Sequence, residues 1–256
     1  MIRSLDKALR LVDLIADAAE GIGNNDLSRK IGLERTTVFR LLETLAMHNY
    51  VRRDPVTKKY ALGNRILELS LMIRKGRRLQ DISRSYLRKL ARETGETAHL
   101  AVLNGDEIII VDQEMGGHLI GVHTHVGMHE PIHCTALGKA LLFRMNGNEI
   151  GEIIGGNRLQ AYSKNTITTL DKLQQELVAS RKRGYALDNE EYKQGVRCLA
   201  APVLDHRGMV AAAIGISGLL KRLTKEKLDS FARIVKKTGE NLSAQMGYCP
   251  ENSNDA

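Results

Sequence analysis

DLSRKIGLERTTVFRLLETL, residues 26–45, decides how the rest of the chain is read. It predicts two short helices joined by a turn at Gly32, where glycine permits the left-handed backbone that reverses the chain. On the second helix Val38, Leu41, Leu42 and Leu45 recur at i, i+3, i+4 and i+7, the spacing of a single buried stripe. At about 100° per residue, the opposite face carries Thr36, Arg40 and Glu43, with Arg35 and Thr37 at its leading end. Such a short, polar, cationic face suits a helix laid in the major groove of DNA. Arginine can donate two hydrogen bonds to a guanine, and threonine can reach a phosphate or a thymine methyl. The first helix supports it, with Asn24 or Asn25 as its cap and Leu27 and Ile31 facing inward. A surface helix pair in a bundle would show the same periodicity, so this stretch alone leaves both readings open.

The distribution of charge favours DNA. Residues 1–78 hold 16 Lys+Arg against 9 Asp+Glu, whereas the remainder holds 22 against 21. Nearly all of the net charge of +8 therefore lies with the helix pair, which points to a polyanionic partner, double-stranded DNA, for this part.

Flanking segments extend the same reading. Residues 4–16 predict an opening helix capped by Ser4, with Leu5, Ala8, Leu9, Val12 and Ile15 on one face. Tyr50-Val51-Arg52-Arg53 and Tyr60-Ala61-Leu62 predict two short strands joined by a turn containing Pro55, a basic hairpin. A helix-turn-helix followed at once by such a hairpin is the winged variant, and Arg52, Arg53, Lys58 and Lys59 are expected to bind phosphates. The alternative is a solvated hairpin whose lysines only blunt an exposed edge. Residues 64–75 predict a linker helix that is apolar almost all round, and hence one that also packs against a second subunit. Gly76-Arg77-Arg78 ends it.

The rest alternates element types. Residues 79–93, 136–143, 170–183 and 224–245 predict helices; 98–103, 108–112, 119–125, 198–204 and 209–217 predict strands, several of them linked as hairpins. The fold class is therefore α+β, with an antiparallel sheet in the second domain. The expected divisions are a winged helix-turn-helix domain at 1–63, a linker helix at 64–77, an effector-binding domain at 78–249 and a polar tail at 250–256.

Composition excludes other classes. No apolar run approaches the ~18 residues of a membrane span, and residues 1–14 lack a signal peptide's apolar core, so the cytoplasm is expected and no membrane partner. Cys134, Cys198 and Cys249 are too few and too widely spaced for a disulfide framework or a zinc knuckle. No cofactor is expected. The competing function is a metal-sensing regulator, or a metal- or cysteine-dependent enzyme, using His118, His123, His125, His129, His133 and Cys134. That spacing matches no ligand template. Cys198, at the start of an apolar strand, has no nucleophile signature around it.

Several ordered blocks resemble the IclR family of bacterial transcription regulators. The N-terminal blocks are Ser4-Leu5-Asp6-Lys7-Ala8-Leu9 and Ile31-Gly32-Leu33-Glu34-Arg35-Thr36-Thr37-Val38-Phe39-Arg40-Leu41-Leu42. Further on stand Cys134-Thr135-Ala136-Leu137-Gly138-Lys139-Ala140, Gly184-Tyr185-Ala186-Leu187-Asp188-Asn189-Glu190-Glu191, Gly195-Val196-Arg197-Cys198-Leu199-Ala200-Ala201-Pro202-Val203 and Ala212-Ala213-Ile214-Gly215-Ile216-Ser217-Gly218. The resemblance implies a winged helix-turn-helix, a linker helix and a GAF-like effector domain, assembled as dimers or dimers of dimers on a palindromic operator. Thr166-Ile167-Thr168, Asp188-Asn189-Glu190-Glu191 and the ending Ser243-Ala244-Gln245-Met246-Gly247-Tyr248 look most like regulators of sugar-acid catabolism, and so imply a repressor of such an operon.

Carried over by position, the resemblance places a small carboxylate effector at Ala136, Leu137, Asp188, Cys198 and Ser217. Backbone amides at a helix start can hold an anion. Asp188 is expected to accept hydrogen bonds from ligand hydroxyls, favouring a polyhydroxylated acid. Some members have a serine where this chain has Gly215, so one hydroxyl contact is absent and room for a larger ligand is expected.

Overall fold

The computed structural model describes residues 2–18, 20–72, 77–155 and 159–249, without the side chains of 70–72, 77 and 78. The chain divides into two compact units, Met1–Arg77 and Arg78–Ala256, each with its own core. Residues 73–76 of the expected linker and the tail from 250 lie outside the described residues.

The first unit runs α1 (Arg3–Ala16), α2 (Asn24–Ile31), α3 (Arg35–Met47), β1 (Val51–Arg53), β2 (Tyr60–Leu62) and α4 (Asn64–Met72). Its core joins Leu11 and Ile15 of α1, Leu27 of α2, Val38 and Leu42 of α3, and Val51 and Tyr60 of the hairpin. Gly32 ends α2 at φ 71°, the left-handed turn expected of it. β1 and β2 pair antiparallel, and the backbone of Ile22 bridges to Tyr60, tying the hairpin to the helices.

Three local expectations fail here. Ser4 lies inside α1, whose N-cap is Ile2, and α2 is capped by Gly23. Asn24 stands in the first turn of α2 and donates from its amide to the Arg35 carbonyl at 3.3 Å, joining α2 to α3 instead. On α1 the buried residues are Leu11 and Ile15, and Leu5 and Leu9 point outward. The helix carries two apolar stripes, and periodicity alone cannot say which one meets the core.

The second unit contains α5 (Arg77–Thr94), β3 (Thr97–Asn104), β4 (Glu107–Glu114), β5 (His129–Pro131), α6 (Ala136–Leu141), α7 (Gly147–Ile154), α8 (Leu170–Arg183), β6 (Ala186–Asn189), β7 (Val196–Leu204), β8 (Val210–Leu219) and α9 (Lys225–Gln245). The six strands form one sheet in the order β5-β4-β3-β8-β7-β6, and every neighbouring pair is antiparallel. Leu137 and Leu141 of α6, Ile150 of α7, and Leu173 and Leu177 of α8 cover one face. Leu87 and Leu90 of α5, with Val235 and Leu242 of α9, cover the other. The sheet is thus buried between two helical layers, as apolar residues on both of its faces require.

Residues 119–125 do not form the expected strand; the third strand in chain order is β5, in a segment that reads as a loop. α7 and β6 were not expected either.

Candidate functional site

α3 begins without a side-chain cap. Among the described residues, no acceptor stands against the amides of Arg35, Thr36 and Thr37. The side chains of Arg35, Thr36 and Arg40 are exposed and that of Thr37 is half-buried, because Val38 and Leu42 take the opposite face fully into the core. Open amides and guanidinium groups at one helix end make an anion-binding surface. In the hairpin, Asp54 Oδ1 accepts from the amides of Val56 at 2.9 Å and Thr57 at 2.7 Å, which builds the turn. Arg53 lies 5.6 Å from the Tyr60 ring centroid and donates to the Lys58 carbonyl, so it helps to shape the hairpin. Arg52, Lys58 and Lys59 are exposed, and among the described residues none has a carboxylate within ion-pair distance.

The effector candidates converge in the second unit. Asp188 pairs with Cys198 across β6 and β7, and Cys198 with Ser217 across β7 and β8, placing the three on one rung of the sheet. The start of α6 lies over that rung. Thr135 caps it, accepting from the Gly138 amide at 3.1 Å, while the amides of Ala136 and Leu137 have no acceptor among the described residues. All five residues line one cavity. α6 is only six residues long, so its donors matter more than any helix dipole. The cavity's free volume is about 20 Å³, room for about one water.

Glu130 of β5, Tyr192, Lys193 and Val122 also line the cavity. The sequence does not single them out, since they come from a three-residue strand, the turn after β6 and the long connection from β4 to β5.

Asp188 Oδ1 accepts from the amides of Glu191 at 2.7 Å and Tyr192 at 3.4 Å. Burial pushes its carboxyl up to about 7, against the hydrogen bond from Glu191. Behind it, the fully buried Lys139 donates to Glu191 Oε1 at 2.6 Å and to the Leu187 carbonyl, while Glu191 Oε2 has no partner among the described residues. Ser163 donates to the Glu190 carbonyl and Thr166 to the Glu191 carbonyl, both at 2.6 Å, so the Thr166-Ile167-Thr168 segment straps the turn that carries these groups.

The connection from β4 to β5 is held by side chains rather than by a strand ladder. Arg222 makes two bonds to Glu96, at 2.6 and 2.7 Å, and donates to the Ile120 carbonyl at 2.9 Å. Gln113 donates to the Thr124 carbonyl at 3.0 Å and accepts from the Thr124 hydroxyl at 2.6 Å. Backbone bonds from Gly127 to Ile110 and from Ile110 to Met128 anchor its far end.

The histidine cluster does not assemble. His118 lies 3.8 Å from Glu96, His129 is 2.9 Å from Glu107, and His133 donates to the Gln160 carbonyl at 3.0 Å. Among the described residues, no three His, Cys, Asp or Glu side chains are placed to hold a metal ion. Burial, reinforced by Asp188, pushes the Cys198 thiol well above the ordinary range, which disfavours the thiolate a nucleophile needs. The room expected at Gly215 is also absent. A Cβ there would stand 2.3 Å from the Leu199 carbonyl oxygen, and the residue does not line the cavity. Gly215 is small because β7 backbone fills the space.

Residues 4–55 match the family described as the IclR helix-turn-helix domain, and residues 74–244 that described as the bacterial transcriptional regulator IclR C-terminal domain. The chain is 32% identical over 248 residues to the HTH-type transcriptional regulator XynR of Escherichia coli K12, covering 97% of this chain and 98% of that one. It is likewise 32% identical over 252 residues to the HTH-type transcriptional regulator KdgR of the same organism, covering 96% and 94%. The crystal structure of the Thermotoga maritima IclR superposes with a TM-score of 0.78 at 29% identity, covering 97% of this chain and all (100%) of that one. The same fold recurs in an IclR homolog from Microbacterium hydrocarbonoxydans complexed with 4-hydroxybenzoate, with a TM-score of 0.82 at 19% identity over 95% and 98% of the two chains.

Proposed function

Because this chain belongs to the IclR family of bacterial transcription regulators, we propose that a small carboxylate held in the second unit controls how the first unit grips a palindromic operator. The chain is a DNA-binding regulator and not an enzyme. The operator is read by Arg35, Thr36, Thr37 and Arg40 of α3 in the major groove, and fixed in register by phosphate contacts from Arg52, Lys58 and Lys59, with Arg53 shaping the wing. The effector lies on the rung of Asp188, Cys198 and Ser217, with its carboxylate on the amides of Ala136 and Leu137. A sugar acid suits the acceptor at Asp188, and repression of an operon for such an acid follows.

The observation that carries the effector reading is the convergence of these five residues, drawn from four separate elements, on one cavity with two open amides. The regulator works in the cytoplasm as a dimer or a dimer of dimers. Self-association is supported by apolar side chains left outward on α1 and α4, with Leu5, Leu9 and Leu67 each more than half exposed. Control requires that the effector prefer one arrangement of the assembly, because equal affinity for two arrangements shifts nothing.

The test is fluorescence anisotropy with promoter fragments from this gene and its neighbours, titrated with salt and then with a panel of small acids. One fragment is expected to bind preferentially and more weakly at higher salt, and one acid to change that affinity. Equal binding to all fragments, or an acid that binds without changing DNA affinity, would overturn the proposal.

A further inference from the structure

We propose that Glu130 is a specificity-determining residue of the effector cavity, and that it selects polyhydroxylated carboxylates by accepting a hydrogen bond from a ligand hydroxyl. This rests on the reading of the cavity as a carboxylate site. Among the described residues of the second unit, four acidic side chains are buried: Glu96, Glu130, Asp188 and Glu191. Three have partners in the protein. Glu96 has Arg222, Glu191 has Lys139, and Asp188 has two backbone amides. Glu130 is 9% exposed and lines the cavity; its carboxylate oxygens are not fully enclosed, and among the described residues no donor stands within hydrogen-bond distance of them. Lys193, at the same cavity, is not within ion-pair distance of it. Burial accordingly pushes the Glu130 carboxyl up, with Lys193 opposing.

A carboxylate with little solvent access and no protein donor is poorly solvated. A group facing a cavity finds its donor in whatever fills that cavity. The lining offers acceptors at Glu130 and at the second oxygen of Asp188, and donors at Ser217, Lys193 and the two α6 amides. A hydroxyl both donates and accepts, so a chain of hydroxyls suits this mixture. An ammonium group only donates, and a simple keto acid such as pyruvate or an unsubstituted aromatic acid such as benzoate brings no donor at all. Such an acid would leave Glu130 buried and unpaired, and sites built to bond a hydroxyl reject analogues that lack it.

Calorimetry on the full chain tests this, with L-threonate, D-arabinonate and D-gluconate set against pyruvate, benzoate and L-serine. The parent is expected to bind one of the three polyhydroxy acids at least tenfold more tightly than pyruvate or benzoate. Glu130→Leu should weaken that acid at least tenfold and leave pyruvate unchanged or better bound. Glu130→Gln keeps a carbonyl acceptor and should lie between the two. Without ligand, Glu130→Leu should melt at or above the parent's temperature, because it removes a largely buried carboxylate that no protein donor holds. A lower melting temperature would mean that Glu130 serves the fold, and would overturn the assignment. So would a Leu variant that keeps the parent's preference, or a parent that favours L-serine. If the parent binds none of these carboxylates, the effector reading itself falls, and this assignment with it.

Discussion

Asp188 and Cys198 face one another across β6 and β7, so a buried carboxyl and a half-buried thiol share one rung of the sheet. The groups around Asp188 are Glu191 and Tyr192 on its own turn, Lys139 on α6, Glu130 on β5, Lys193 at the cavity and Cys198 opposite. Lys139 is engaged by Glu191, and burial dominates, pushing the carboxyl up to about 7. In the unfolded chain an aspartate titrates near ~3.9. Between the two values the folded chain holds a proton that the unfolded chain has lost. The associated stability is therefore full at low pH and drains away as pH rises to about 7. Asp188→Asn cannot lose it. Urea melts should show the Asn variant gaining on the parent between pH 5 and pH 8, by about 1–4 kcal/mol. An unchanging gap would show that Asp188 is not held in this state.

At Gly215 the structure predicts strain from any side chain. Gly215→Ser would press its Cβ toward the Leu199 carbonyl, 2.3 Å away, and Ala200. Overpacking of this kind costs about 1–3 kcal/mol. The substitution should lower the melting temperature without improving the affinity of any acid. Tighter binding in the Ser variant would show that position 215 does reach the ligand.

Lys139 and Glu191 form a buried ion pair with one carboxylate oxygen unpartnered. Lys139→Met would leave the Glu191 charge alone in the interior, at a cost of about 3–5 kcal/mol. The double variant Lys139→Met with Glu191→Leu removes both charges and should recover most of that loss. Chemical denaturation of the two variants checks the pair, and additive losses would show that the two groups do not depend on each other.

In the first unit, Arg40→Ala should cost about 1–3 kcal/mol of operator affinity and relax preference at one position, if α3 enters the groove as proposed and Arg40 reads a base edge. Lys58→Ala should weaken all sequences alike and lower the salt slope by about one, as loss of a phosphate contact does. Operator affinity unchanged in Arg40→Ala would show that another face of α3 enters the groove.

The phase of α3 is legible in the sequence because a helix with a single apolar stripe must turn it inward: Val38 and Leu42 are fully buried and Arg40 is exposed. α1 has two such stripes, and only packing chooses between them. α7 did carry a signal, since Asn146 and Glu149 stand at capping-box spacing and form that box. β6 carried little, because it contains Asp188 and Asn189, types depleted in strands. β5 is three residues ending in Pro131, which an edge strand tolerates but a pattern search reads as a break. The five effector candidates follow from family blocks, yet their convergence depends on strand register. Composition does not encode register, and for that reason Glu130 stays silent until the sheet is assembled.

The small cavity has a consequence in time. With about 20 Å³ free, a sugar acid at the proposed site would require its walls to yield, and one of them, the connection carrying Val122, is fastened through Arg222 to Ile120 and through Gln113 to Thr124. Arrival of the effector is then paced by an opening step inside the protein, and the observed rate of binding should level off as concentration rises in a stopped-flow experiment. Departure waits on the same step. Under the proposed reading, such a regulator would ignore a brief pulse of its effector and answer a supply that outlasts its own opening and closing.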